Sequence, residues 1–226
     1  MNKLAIALGA ALFGAQVASA QALELSTQEQ KLSYAVGVQL GHSLKKQNLK
    51  IDVDALSAAI KDVMDGGALK LTPEEMVATM EKARETLAAE QKAKADAAQE
   101  AGKKFLAENK GKAGITTLPS GLQYEELKAG TGETPAKGSE VTVHYEGRLI
   151  NGTVFDSSLK RGEPVTFGLD GVIPGFSEAL SLMKPGAKWR VFIPSELGYG
   201  AKGAGEAIGP NETLIFEIEL LSVKGA

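Results

Sequence analysis

The residues of the C-terminal half that could do chemistry are few, and their spacing limits the reactions open to them. Asp156 and Arg161 stand a short segment apart. Together they could serve as general acid and base, or as a partly buried ion pair at the edge of a pocket. As the first residue of Asp156-Ser157-Ser158, the carboxylate could instead bond the backbone of its own turn. The two histidines, His42 and His144, lie in different halves without clustered carboxylates, so no metal site is expected. His144 adjoins Tyr145 in an alternating segment and must face the opposite side, which makes it structural. The absence of cysteine excludes thiol catalysis, disulfides and Cys-ligated zinc. What this half has in quantity is rings: Tyr124, Tyr145, Phe155, Phe167, Phe176, Trp189, Phe192, Tyr199 and Phe216. Such a concentration builds either an ordinary core or an apolar cavity, and composition does not separate the two. Trp189 and Phe192, on opposite parities of one run, read as core.

These side chains need a framework that gathers distant segments. Alternating runs at 122–127, 140–149, 164–168, 188–193 and 212–223, with turn residues at Asn151-Gly152 and Lys184-Pro185-Gly186, predict an antiparallel sheet. Between the third and fourth runs, Gly175 to Met183 carries Phe176, Ala179, Leu180 and Met183 at helical spacing. A curved sheet wrapped on one short helix is an α+β domain, expected over 113–226.

The preceding stretch, 21–112, is helical in character. Ser26 and Glu29 can form a capping box, followed by Leu32, Val36, Leu40 and Leu44 at spacing four. A second helix is predicted from Val53 to Met64, stopped by Gly66-Gly67. The third starts at Thr72 as cap, Pro73 in the first position and Glu75 completing the box. Its large apolar residues, Met76, Met80 and Leu87, stop until Phe105-Leu106, so the middle reads as a solvated rod. Continuous to Asn109, it would reach roughly 55 Å at ~1.5 Å per residue and act as a stalk helix. With Tyr34 and Phe105 as its aromatics, this all-α region can build little core alone. A second copy would supply the burial, which makes 21–112 a dimerisation domain; the alternative is a helical hairpin docked on the other half.

Residues 1–20 read as a signal peptide. Lys3 precedes an apolar run from Leu4 to Ala15, and Ala18-Ser19-Ala20 fits cleavage after Ala20. The run is shorter than the ~20 residues that cross a bilayer, so no stable membrane anchor is expected. Export to the periplasm follows, with outer-membrane association or secretion as alternatives. The formal charge of -3 provides no basic field for nucleic acid.

Order within the C-terminal half is more specific than composition. The segments Val143-His144-Tyr145-Glu146-Gly147, Gly152-Thr153-Val154-Phe155-Asp156-Ser157-Ser158, Val172-Ile173-Pro174-Gly175-Phe176, Leu197-Gly198-Tyr199-Gly200 and Thr213-Leu214-Ile215-Phe216-Glu217 occur in sequence. Over essentially all of 115–226 the chain resembles the FKBP family of macrolide-binding prolyl isomerases. With the helical extension and leader it resembles the periplasmic, two-domain, V-shaped dimeric subfamily related to the macrophage infectivity potentiator. The resemblance implies a proline site formed by Tyr145, Phe155, Asp156, Arg161, Val165, Phe167, Val172, Ile173, Phe176, Tyr199, Ile208 and Phe216, with Tyr199, Asp156 and Phe155 closest to catalysis.

The chemistry of these residues agrees. Rotation about an Xaa-Pro bond is slow because amide resonance must be lost, at a barrier near ~18–20 kcal/mol. No bond breaks, so no nucleophile and no cofactor is expected. A twisted amide has less charge separation than a planar one, and a dry apolar pocket favours it. Tyr199 hydroxyl and the Ile173 N–H would hold the flanking carbonyls. Phe176 stands where the family usually has an indole, Val165 where an aromatic wall is common, and Ala204 to Ala207 depart from the usual tip. A smaller pocket with altered macrolide affinity is therefore expected. The 201–210 loop, with Gly203, Gly205 and Gly209, reads as mobile and would shape preference around proline. The expected partners are unfolded or proline-containing polypeptides, macrolide inhibitors as ligands, and a second copy of the chain. The expected function is periplasmic folding assistance by prolyl isomerisation. The competing reading is a chaperone that holds unfolded chains in the dimer cleft, with isomerisation secondary. A third, a periplasmic scaffold, has only the long helix in its favour.

Overall fold

Capping chemistry sets the first helices of the protein, here described by a computed structural model over residues 24–47 and 49–224. The expected leader, 1–20, lies outside the described residues. Helix α1 (Gln28–Lys46) is capped by Thr27 rather than Ser26. The Gln30 amide oxygen reaches the N–H groups of both Ser26 and Thr27, at 2.9 and 3.0 Å, which moves the box one residue along. Helix α2 (Val53–Met64) ends before Gly66, which takes a left-handed φ of 65°. Helix α3 (Pro73–Lys110) starts on the Thr72–Glu75 capping box and runs unbroken for 38 residues, about 57 Å at ~1.5 Å per residue.

The chain divides into two compact units, Met1–Asp52 and Val53–Ala226. In the first, α1 buries none of its residues, and Leu32, Tyr34, Val36 and Val38 are exposed. In the second, α3 changes character along its length. Its 88–94 stretch is a solvated rod, as its composition predicts. From Ala95 the rod ends: Ala95, Ala98, Gln99, Gly102, Phe105, Leu106 and Asn109 are covered. Small residues hid this docked face from the sequence pattern, because Ala and Gly let backbones approach without an apolar signature. At its end, buried Asn109 donates from Nδ2 to Gln123 Oε1 at 3.0 Å, and Gln123 Nε2 donates to the Leu106 carbonyl at 2.9 Å.

Seven antiparallel strands follow: β1 (Ile115–Thr117), β2 (Gln123–Lys128), β3 (Glu140–Leu149), β4 (Val154–Ser157), β5 (Val165–Gly168), β6 (Lys188–Ile193) and β7 (Leu214–Lys224). The order is β1-β2-β6-β7-β3-β4, and β5 also pairs with β3. Strands β4 and β5 thus share one edge of β3 end to end, at Glu146–Arg148 and Glu140–Val143. The one-turn helix α4 (Ser158–Arg161) fills the interval between them. Helix α5 (Pro174–Leu182) contributes Phe176, Ala179 and Leu180 to the core. Strand β3 alternates strictly, burying Val141, Val143, Tyr145, Gly147 and Leu149, which puts Tyr145 on the inner face and His144 on the other. The fold is α+β, a curved antiparallel sheet on a short helix behind a helical N-terminal region. Segments β1, β4 and α4, three or four residues each, went unpredicted because so short a run rarely shows a period, although the equally short β5 was found. Among the described residues, no helix is long and apolar enough to cross a membrane.

Candidate active site

A cavity of about 650 Å³ opens on the inner face of the sheet, well within the usual range of ligand pockets. Its walls are Tyr145 from β3, Phe155 and Asp156 from β4, Phe167 from β5, Phe176 from α5 and Phe216 from β7, with Gly171, Val172 and Ile173 leading into α5. Tyr199, Ala204, Gly205, Ala207 and Ile208 complete it from the loop before β7. The rings are packed and still leave room. Phe176, only 4% exposed, sits edge-on to Phe216 at 5.1 Å, to Tyr145 at 5.9 Å and to Phe167 at 6.1 Å, while Phe155 meets Phe216 at 5.5 Å. Edge-to-face contacts of this kind fix ring orientation as well as burying area. Gly147 is required beneath them, since a Cβ there would lie 2.6 Å from the rings of both Phe155 and Phe216.

At the polar edge, the Tyr145 hydroxyl donates to Asp156 Oδ2 at 2.5 Å, and Arg161 Nη1 donates to Asp156 Oδ1. Arg161 Nη2 also donates to the Tyr145 oxygen at 3.1 Å, and its guanidinium lies over the Tyr145 ring. Burial pushes the Asp156 carboxyl upward, but the bonds from Tyr145 and Arg161 outweigh it and hold the group below the ordinary aspartate value. Burial, and then the bond to Asp156, raise Tyr145 above an ordinary tyrosine. A carboxylate with both oxygens occupied and a lowered pKa is a poor general base, so the arrangement orients rather than transfers protons. The turn that follows is capped by the next residue, Ser157, whose Oγ accepts the Lys160 N–H at 3.3 Å. Behind Tyr145, the fully buried Ser158 Oγ accepts the Tyr145 N–H at 2.8 Å and donates to the Tyr145 carbonyl at 3.2 Å. His144 Nδ1 lies 3.1 Å from that hydroxyl, outside the cavity lining.

Two hydrogen-bond donors in the wall are uncommitted. Tyr199, 39% exposed, makes no hydrogen bond through its hydroxyl among the described residues. The Ile173 N–H likewise has no acceptor there, whereas the Ile173 carbonyl accepts from Phe176 and Ser177 at the start of α5.

Two family models match the chain. Residues 131–221 match FKBP-type peptidyl-prolyl cis-trans isomerase, and residues 29–125 match the domain amino terminal to it. The outer membrane protein MIP of Legionella longbeachae is 48% identical over 214 residues, covering 93% of this chain and 92% of that protein. The peptidyl-prolyl cis-trans isomerase Mip of Coxiella burnetii is 49% identical over 214 residues, covering 90% of each chain. The chain belongs to the FKBP-type peptidyl-prolyl cis-trans isomerase family. Among solved structures, FkpA from Escherichia coli superposes with a TM-score of 0.66 at 38% identity, covering 89% of this chain and 99% of that one.

Within this FKBP domain, all the residues expected at the proline site line the cavity except two. Arg161 stands outside it and reaches it through Asp156 and Tyr145. Val165 pairs with Val143, is half-buried against the core and is not part of the cavity lining. Gly171, a residue without side-chain signal, was missed. Trp189 stacks on Tyr124 with centroids 4.0 Å apart, and Phe192 meets Phe105 on the opposite face, so both are packing residues of the FKBP sheet. Within the 201–210 loop, the Ala204 N–H donates to the Ile208 carbonyl at 2.8 Å and the Ile208 N–H to the Ala204 carbonyl at 3.1 Å, forming a short hairpin.

Proposed function

We propose that this FKBP-type isomerase acts on exported polypeptides in the periplasm, seating an Xaa-Pro unit among Phe155, Val172, Ile173, Phe176 and Phe216. The observation that carries this reading is a cavity walled by rings, with two free donors, Tyr199 hydroxyl and Ile173 N–H, beside it. Rotation needs no proton and no nucleophile. It needs surroundings in which the less polar twisted amide costs less, relative to the planar one, than it does in water. Rings supply those surroundings, and Tyr199 and Ile173 hold the carbonyls on either side of the turning bond. Asp156 and Arg161 keep Tyr145 in place at the edge. Macrolide inhibitors would compete for the same space.

The reading extends to a homodimer through 21–112. Its support is the apolar surface of the helical region, where Leu32 is 63% and Met80 67% exposed in the single chain; soluble proteins rarely leave such surface uncovered. The same surface supports the second reading, a cradle that holds unfolded chains with isomerisation secondary. The test is the rate at which the full mature chain isomerises a short Xaa-Pro peptide, with and without a macrolide inhibitor. Phe155→Ala is expected to lose about tenfold or more. Tyr199→Phe should lose ~2- to 10-fold, the worth of one hydrogen bond. Unchanged rates in both variants would remove the site assignment. Suppression of aggregation by an inactive Phe155→Ala chain would favour the cradle.

A further inference from the structure

The hairpin that forms one wall of the cavity is built largely from small residues, Gly203, Ala204, Gly205 and Ala207 among them; Ile208 is its one large anchor in the core, with Ala204 packed against the same cluster. With that arm seated in the core, the direction of the rest depends on its root. There the Asn211 N–H donates to the Gly200 carbonyl at 2.9 Å, tying the two ends together. Among the described residues, Asn211 is the one non-glycine residue with a positive φ, 57°. Asparagine tolerates that conformation better than most side chains. Its amide is committed to α3, where Nδ2 donates to the Ala95 carbonyl at 3.3 Å. A second contact lies two residues on. Thr213 is buried, and it meets α3 at Gly102, where an added Cβ would collide with Thr213 Oγ1. The absent side chain at Gly102 thus makes room for Thr213, the residue just before β7. Lower on the same face, Phe105 rests on Phe192 at 5.9 Å, and Gln123 bonds the Leu106 carbonyl and Asn109. About four turns of α3, from Ala95 to Asn109, are thus laid against the sheet and reach the hairpin's root.

We propose that the end of α3 belongs to the machinery that discriminates among substrates: through Asn211 and Thr213 it fixes the root of the 200–210 hairpin, and so sets how that wall meets the residues flanking proline. Asn211 is a positioning residue that acts through Tyr199, Ala207 and Ile208. A small rotation at a hairpin's root is a larger displacement at its tip, so the contact affects the wall more than it affects global stability. The inference rests on the isomerase reading of the cavity.

The experiment measures kcat and KM of the full mature chain on a series of peptides that differ only in the residue before proline. Asn211→Gly keeps the left-handed backbone and removes the amide. Gly102→Ala raises helix propensity and forces Thr213 aside, so it weakens the contact while strengthening the helix itself. Lys92→Ala, on the exposed side of α3, is the control. Both test variants should compress the spread of kcat/KM between the best and worst peptides by about three- to tenfold. The change should appear as a raised KM for the best peptide, with kcat and thermal midpoint close to those of the unaltered chain and of Lys92→Ala. An unchanged spread in both variants would overturn the proposal and leave the isomerase reading intact. A uniform loss across all peptides that tracks a fall in thermal midpoint would also overturn it, because the contacts would then be structural only. An unaltered chain without activity on any peptide would defeat the isomerase reading, and this inference with it.

Discussion

At Asp156 the residue type suggests proton transfer and the surroundings argue against it. One oxygen takes the Tyr145 hydroxyl and the other Arg161. The pair is 43% and 42% exposed at its side chains, so its contribution to stability is small and its effect is geometric. The pH dependence follows from the direction of the shift. Because the folded carboxyl lies below its unfolded value, the interaction is fully present above the ordinary aspartate pKa and is lost as pH falls through the lower folded value. The kcat/KM of a stable Xaa-Pro peptide should therefore be level from about pH 8 down to about pH 5, with this group contributing a loss only below about pH 4. A group on the enzyme titrating near neutrality would show as a step in that range. The rings, Asp156 and Tyr199 were legible from residue types in ordered motifs. The Tyr145–Asp156 contact itself was not, because it depends on the register that sets Gly147 opposite Asp156 across β3 and β4, with a bulge beside it. Nor was the role of Ser158, whose hydroxyl matters through burial alone.

Among the elements, the start of α3 was legible because capping is local chemistry, and the alternation of β3 was legible because half its residues face the core. The docked end of α3 was not. Ala95, Ala98 and Gly102 carry no apolar signal, and what they provide is closeness. The polar join beneath them makes a stability prediction. Asn109 is 2% exposed and donates to Gln123, which in turn satisfies the Leu106 carbonyl. Gln123→Ala strands both groups and should cost ~1–3 kcal/mol in equilibrium denaturation of the full chain. A loss within ~0.5 kcal/mol, the range of ordinary surface changes, would show that the helix end is not held there.

For the whole molecule, the cavity and the exposed apolar side chains of α1, α2 and α3 lie on different elements. The sheet and α5 make a cavity, while the helices present Leu32, Tyr34, Val36 and Val38 from α1 and Val63, Val77 and Met80 from α2 and α3 as uncovered apolar surface. That surface was foreshadowed by a region rich in helix formers and poor in rings. If a second copy covers it, the mature chain sediments as a dimer at micromolar concentration and Leu32→Glu shifts it toward monomer, with peptide kcat/KM per chain within about twofold of the unaltered chain. A monomer from the outset would contradict the dimer. The central claim is narrower: the rings around Phe176 favour a twisted amide by excluding water, and no proton moves. Comparing kcat/KM for one Xaa-Pro peptide in H2O and D2O at matched acidity tests it directly. The ratio should be about 1, since no proton is in flight at the barrier, whereas a ratio of about 2 or more would mean that a general acid or base takes part and would contradict the account.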